Sequence, residues 1–494
     1  MQSRNQKCNA LESVFGIFLH STNTPQKVIQ ALAHMGISIS ISSIHLAIHS
    51  LSLETHETLR TMGQTLLVGY AYDNFDIDFK NSVPTIEKVG DTLAHLTSGT
   101  LIMLEHGVKQ EDLKCSEYLW QKSSLNSLRT SVELDLTCSD LLTLHPEPTR
   151  PVSGLSQQQR YQSWKFRADL IQYGPEYFQM FKKNLGLPEE IEQIPVVKMR
   201  YAPARSMDVN ESTHAGNISA ITNLMSQGGV GDPVDLTEKE KRMAWETKTL
   251  SLIQYVVLFF GDLAAFERVM GVMKWRSIEH TPWRRFQFVI FVMGFFHLKM
   301  AAADAIWRIF LEPKTAREDP NSLMAYLALH HPRETGKIGS SPGFRRVHEM
   351  IVHEGIALRL DAWTAEIQKR SPSCTSLTDF AKIRPLEGTI CDIADHLAGN
   401  YIAGGLDGST DIFSLRSKNI AQRDQQHENM LLLHKYLLLY EELSFSMNQG
   451  DIGRVETLFP PWITIFRGTG KHKYASHMAK FLSDVHFVYP SALR

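Results

Sequence analysis

The residues of this chain best suited to chemistry are aspartates at the ends of apolar, strand-like runs. Asp73, Asp76 and Asp78 cluster in YDNFDID, at the end of the β-branched and aromatic run TLLVGYAYDNFDIDF (65–79). Asp262 closes a second run, LSLIQYVVLFFGD (250–262). Glu354, Asp361, Asp424 and Glu428 fall in later helical stretches. Carboxylates at strand ends, with one more from a helix, suit a two-metal nuclease. Hard oxygen ligands hold two Mg²⁺ ions about 4 Å apart, which activate water and stabilise the leaving oxygen of a phosphodiester. On this reading Asp73, Asp76 and Asp262 bind metal, and Glu354 or Glu428 completes the set. The same acids have plain structural uses. Asp262 stands where a helix N-cap belongs. Asn and Asp favour turns, so YDNFD also reads as a solvated hairpin edge. Glu354 and Glu428 also read as exposed helix charges.

A second constellation is basic. FRGTGKHKYA (466–475) sets Arg467, Lys471, His472 and Lys473 around two glycines. Backbone amides with cationic side chains hold phosphate, so Arg467, Lys471 and Lys473 are candidate nucleic-acid contacts. The stretch lacks the GxxxxGK[ST] spacing of a Walker loop, and a solvated basic turn is the better reading of it. Histidine is abundant, at 21 residues, but His348 and His353 with Glu354 form no HExxH motif, and no zinc site is expected.

The elements that must position these groups follow from periodicity. TLLVGYAYDNFDIDF and HLTSGTLIML (95–104) read as strands. LSLIQYVVLFFGD and FQFVIFVMGFFH (286–297) read as buried strands, each followed by a helix, which implies a parallel βαβ unit. Near the N-terminus, Thr24-Pro25 opens a helix with Val28, Leu32 and Met35 on one face, ended by Gly36. A second helix follows with Ile44, Ile48 and Leu51 on its apolar side. The pair resembles a helix-turn-helix, but its second helix offers His45 and His49 and no Lys or Arg for bases and phosphates, so a packed helical pair is the better reading. MLLLHKYLLLYEELSFSM (430–447) is apolar almost all round, as a buried helix is. The expected fold class is α+β, predominantly helical, with an RNase-H-like mixed sheet core and large helical insertions. The expected divisions are 1–60 helical, 61–140 strand-containing core, 141–245 linker and helical insertion, 246–315 βαβα core, 316–420 helical insertion and 421–494 helical.

Composition sets the outer limits. With 43% hydrophobic and 21% charged residues over 494 positions, the chain can build two or three ordinary cores. A net charge of −2 supplies no global field for nucleic acid or membrane, so DNA binding needs a local patch. The five cysteines are odd in number and contain no CxxC, which argues for reduced thiols and an intracellular, cytosolic or nuclear protein. No secretory h-region opens the chain, and the apolar stretch 286–296 is about half of a membrane span. The sequons at Asn210 and Asn217 are therefore read as accidental.

Several phrases together resemble one family: YDNFDID, HLTSGTLI, FFGDLAAFERVMG, GFFHLKMAAADAIWR, LLLYEELSFSMNQGDIGRVE and RGTGKHKYA. They look like the domain of unknown function numbered six-five-eight-nine, abundant in mushroom-forming fungi, with the likeness running from about Val14 to the end. The resemblance implies a mobile-element origin and, with it, an RNase-H-like transposase core in which Asp73 or Asp76 and Asp262 are the first two carboxylates. It fixes no third acid and no established activity. It also implies a chain that stops short of the family's usual length. Two rival functions stay open: a non-catalytic binding or scaffold protein, and a DNA-binding regulator.

Overall fold

The strand-like runs meet in one sheet. The computed structural model describes residues 10–78, 93–129, 137–145, 154–232, 254–340, 342–404 and 410–494. Cys8, Phe79, the 146–153 part of the expected linker, 233–245, the first residues (250–253) of the second apolar run, Ser341 and 405–409 lie outside them. β1 (Val68–Asp78), β2 (Leu93–Met103), β3 (Tyr201–Pro203), β4 (Val257–Gly261) and β5 (Val289–Met293) lie in the order β3-β2-β1-β4-β5. β2 is antiparallel to β1 and β3, while β1–β4 and β4–β5 are parallel. The protein is thus a predominantly helical α+β chain with a small mixed sheet. β3 lies in the stretch read as linker and helical insertion; at three residues it is too short to leave a periodic signal.

The chain divides into two compact units. The first comprises Met1–Ser131, Val197–Gly294 and Pro490–Leu493, and the second comprises Val132–Val196, Phe295–Tyr489 and Arg494.

In the first unit the apolar β4 and β5 lie at the heart of the core, as continuous Val/Ile/Phe runs do when both sheet faces are covered. Tyr70 stacks on Phe259 at 5.3 Å, and Phe291 meets Tyr72 edge-on at 5.9 Å. Leu59 of the helix Ile41–Gln64, Ile221 and Leu224 of His214–Gln227, and Val269 of Leu263–Arg276 complete the cluster. Each such side chain contributes roughly 1.5–3 kcal/mol by burial. β1 changes character along its length: Val68–Tyr70 are buried and Asp76–Asp78 exposed. The far end of the β1–β2 hairpin is therefore a polar ribbon, as YDNFDID implied.

Gly261 lets β4 and β5 approach. A Cβ there would lie 2.7 Å from Cζ of Phe291, a ring already held by Tyr72 and Phe266. Gly261→Ala is expected to destabilise the sheet by about 1–3 kcal/mol through overpacking, read as faster amide exchange in β4 and β5.

The expected apolar faces of the N-terminal helical pair are only partly buried. Ile29 and Ile44 are buried, but Val28, Met35 and Leu51 are exposed. Gly36, at φ +71°, ends the first of the pair as anticipated.

The second unit is helical. Phe166 and Leu170 of Gln157–Tyr173, Trp363 and Ile367 of Phe344–Arg370, and Ile393 and Leu397 of Glu387–Asn400 form its core with Leu438. Leu438 belongs to Gln425–Gln449, the near-uniformly apolar helix, which ends at Gly450 in the left-handed conformation. His434 on that helix is buried, and burial together with the Arg359 charge pushes its pKa down to about 4. The unfolded imidazole titrates near 6.5, so between these values the unfolded chain binds more protons. Stability is full above that range and falls as pH drops through it, by about 3 kcal/mol for this one group. His434→Leu is expected to flatten that part of the curve, measured as urea midpoints between pH 7 and 4. Among the described residues, no helix is long and apolar enough to cross a membrane.

Candidate functional site

The parallel register brings two of the expected aspartates together. Ala71 of β1 pairs with Phe260 of β4. Two residues beyond this pair stand Asp73, on β1, and Asp262, just past the end of β4, and the charges of both act on Glu211. Asp262 caps the helix Leu263–Arg276, its Oδ1 accepting the Ala265 amide at 2.6 Å, so its structural use is realised as well. Asp73 is exposed, and its Oδ1 accepts the Asn74 amide at 2.9 Å.

A third acid joins them that the sequence reading missed. Glu211 sits in the turn before the helix His214–Gln227 and is 3% exposed. Its Oε1 accepts the same Asn74 amide at 3.1 Å, while Oε2 is buried with no hydrogen-bond partner. The turn is fixed from three sides. Thr97 of β2 donates its hydroxyl to the Val209 carbonyl at 2.7 Å. Asn217, fully buried, donates its amide to the Glu211 and Thr213 carbonyls. Tyr72 donates its hydroxyl to Asn217 Oδ1 at 2.8 Å. Asn217 is thereby removed as a glycan acceptor in the folded chain. Burial, then the charges of Asp262 and Asp73, raise the Glu211 pKa to about 7; the Asn74 amide and the Arg268 charge act the other way. A buried carboxylate with one oxygen unpartnered, next to two like charges, is unfavourable unless a cation arrives.

The donor set is all oxygen and suits a hard divalent cation, which keeps several waters and takes only one or two carboxylates directly. The three acids do not close into a tight cage. Among the described residues, the three ligand groups whose atoms all lie within 4.8 Å of one another are His145, Glu456 and His486, elsewhere in the chain.

The remaining candidates are engaged differently. Asp76 pairs with His95 across the hairpin at 2.7 Å. Glu354 and Glu428 belong to the second unit and, contrary to the exposed reading, both are buried. Glu354 Oε2 lies 2.8 Å from His330 Nδ1, and Glu428 accepts two hydrogen bonds from Arg423. Lys471 stands just before the helix His472–Ser483 and pairs with Asp304 at 2.6 Å, which occupies the ammonium offered to phosphate. Arg467, in the last turn of Ile452–Gly468, and Lys473 are exposed. The basic stretch is a tight helix–helix turn, with Gly470 at φ +76°.

Residues 135–494 match the model of a family of unknown function, DUF6589. The chain belongs to DUF6589. Comparison with curated proteins and with solved structures gives no match. The DUF6589 match contains Glu211 and Asp262, whereas YDNFDID and HLTSGTLI, with Asp73, lie upstream of it. Glu211 left no signal in the DUF6589 sequence, because a loop acid between a three-residue strand and a helix has no periodic context.

Proposed function

We propose that the first unit is a ribonuclease-H-like core that cleaves or transfers phosphodiesters in nucleic acid, with Asp73, Glu211 and Asp262 holding Mg²⁺ or Mn²⁺. The observation that carries this is the buried, unpartnered Oε2 of Glu211 beside two strand-end aspartates that the β1–β4 register sets side by side. The strand order β3-β2-β1-β4-β5, with β2 alone reversed relative to its neighbours, supports it, since a ribonuclease-H-like sheet has that order. When bound, the cation supplies charge for the attacking and leaving oxygens. Asp73 and Asp262 anchor it from adjacent strands, and Glu211, held rigidly by Asn217 and Thr97, presents a dry oxygen to it or to its water. Arg268, whose charge reaches Glu211, balances the acids before the cation arrives. The mobile-element origin implied by the family resemblance makes DNA the first substrate to try.

A second reading, a non-catalytic binding or scaffold protein, draws on two observations. One Asp262 oxygen is committed to the helix cap, and Arg268 already offsets part of the negative charge. The test is cleavage of labelled single- and double-stranded oligonucleotides with Mg²⁺ or Mn²⁺, alongside Mn²⁺ binding by calorimetry. Activity equal in wild type and Asp262→Asn points to a contaminant, and absence of Mn²⁺ binding selects the scaffold.

A further inference from the structure

In the second unit, three segments distant in sequence bring two imidazoles onto one carboxylate oxygen. His145 follows the short helix Cys138–Leu142, Glu456 lies on Ile452–Gly468, and His486 sits in the π-helical turn Asp484–Val488. His145 Nε2 and His486 Nε2 each lie 2.7 Å from Glu456 Oε2. The rings meet edge-on, at 87° with centroids 5.7 Å apart. The Glu456 and His486 side chains are 7% and 5% exposed, and that of His145 is 17% exposed. Burial opposes ionisation of Glu456, and the two histidine hydrogen bonds outweigh it, so its carboxyl sits below the ordinary range.

We infer that His145, Glu456 and His486 form a site for a borderline divalent transition metal, Zn²⁺ in the first instance. Two imidazole nitrogens with one carboxylate suit Zn²⁺, Co²⁺ or Fe²⁺ rather than Mg²⁺ or Ca²⁺. Ligand atoms around tetrahedral zinc stand about 3.3 Å apart, given metal–ligand bonds near 2.0 Å. The observed 2.7 Å contacts need open only by roughly 0.6 Å to admit the ion. Each ring then carries its proton on Nδ1 and offers Nε2 to the metal. Three protein ligands leave a fourth position, which the partly exposed His145 edge opens to water or a small anion. A π-helical turn is the kind of local irregularity that recurs at functional sites, and here it carries one ligand. The plain alternative is a hydrogen-bonded bridge that ties the three segments together without metal.

The experiment is zinc competition against a chromophoric chelator, using chelator-treated full-length protein. The expected result is one specific equivalent, weakened at least about tenfold in His486→Ala and in Glu456→Gln. Because the Glu456 and His486 side chains are little exposed, His145→Ala is the second variant. It is expected to keep the wild-type circular dichroism and to lose the visible absorption bands that bound Co²⁺ gives. Zinc affinity unchanged across the three variants, or no binding by the folded wild type, overturns the site and leaves the hydrogen-bonded bridge. Neither outcome depends on nuclease activity.

Discussion

Asp262→Asn is expected to lower Mg²⁺-dependent oligonucleotide cleavage at least about a hundredfold, while Asp76→Asn leaves it within about twofold. The contrast follows from position. Asn is as good an N-cap as Asp, so the Ala265 amide keeps its acceptor and the helix Leu263–Arg276 its start. What is lost is the charge on the strand-end carboxylate. Asp76, only three residues beyond Asp73, is occupied with His95 on the exposed ribbon of the hairpin. Asp73→Asn is expected to behave like Asp262→Asn. Glu211→Gln separates ligand from scaffold by sign. It removes metal binding, yet it raises the stability of the metal-free protein by roughly 1–2 kcal/mol, because a buried charge beside two like charges disappears. Calorimetry with Mn²⁺ and urea unfolding in a chelator read the two effects. A Glu211→Gln variant that binds Mn²⁺ as wild type does would sink the assignment.

The largest stability effect is expected at Arg359. This guanidinium is 1% exposed and joins three helices of the second unit. Its Nε donates to Asp169 Oδ2 at 2.5 Å and its Nη2 to Glu441 Oε2 at 2.8 Å. Lys165 completes the group, 2.7 Å from Asp169 and 3.1 Å from Glu441. Two acids facing two bases are balanced; removing the arginine leaves two buried acids sharing one lysine. Arg359→Ala is therefore expected to cost about 3–5 kcal/mol, the range for a broken buried pair. Amide exchange in Gln157–Tyr173 and Phe344–Arg370 measures it locally. Arg359→Met combined with Glu441→Leu leaves the Lys165–Asp169 pair intact and should recover much of the loss. An exposed pair such as Arg345–Glu349 should matter far less, because solvent screens it.

Much of this architecture was legible in the chain. The runs ending in YDNFDID and FFGD became β1 and β4, and Asp262 became the cap its position suggested, because strand length, apolar content and capping are local properties. The near-continuous apolarity of 430–447 likewise announced a buried helix. What depended on distant partners was not legible. Glu354 and Glu428 looked like exposed charges because His330, Arg423 and the covering helices come from other parts of the chain. Lys471 looked available because Asp304 lies more than 150 residues away in sequence. Glu211 and the His145–Glu456–His486 group arise only when loops are set against helices, and no spacing rule spans such separations.

The position of β1 has a consequence for how DUF6589 proteins can be divided. β1 and β2 precede residue 135, yet β1 lies between β2 and β4. A fragment spanning only 135–494 would keep β4 and β5 but bare the inner border of β4, and β3 would have nothing to pair with. Such a border, rich in Val, Leu and Phe, invites any passing strand. Expressed alone, that fragment should therefore aggregate, and co-expression of the first 131 residues should rescue it by strand complementation, restoring Asp73 beside Asp262 in trans.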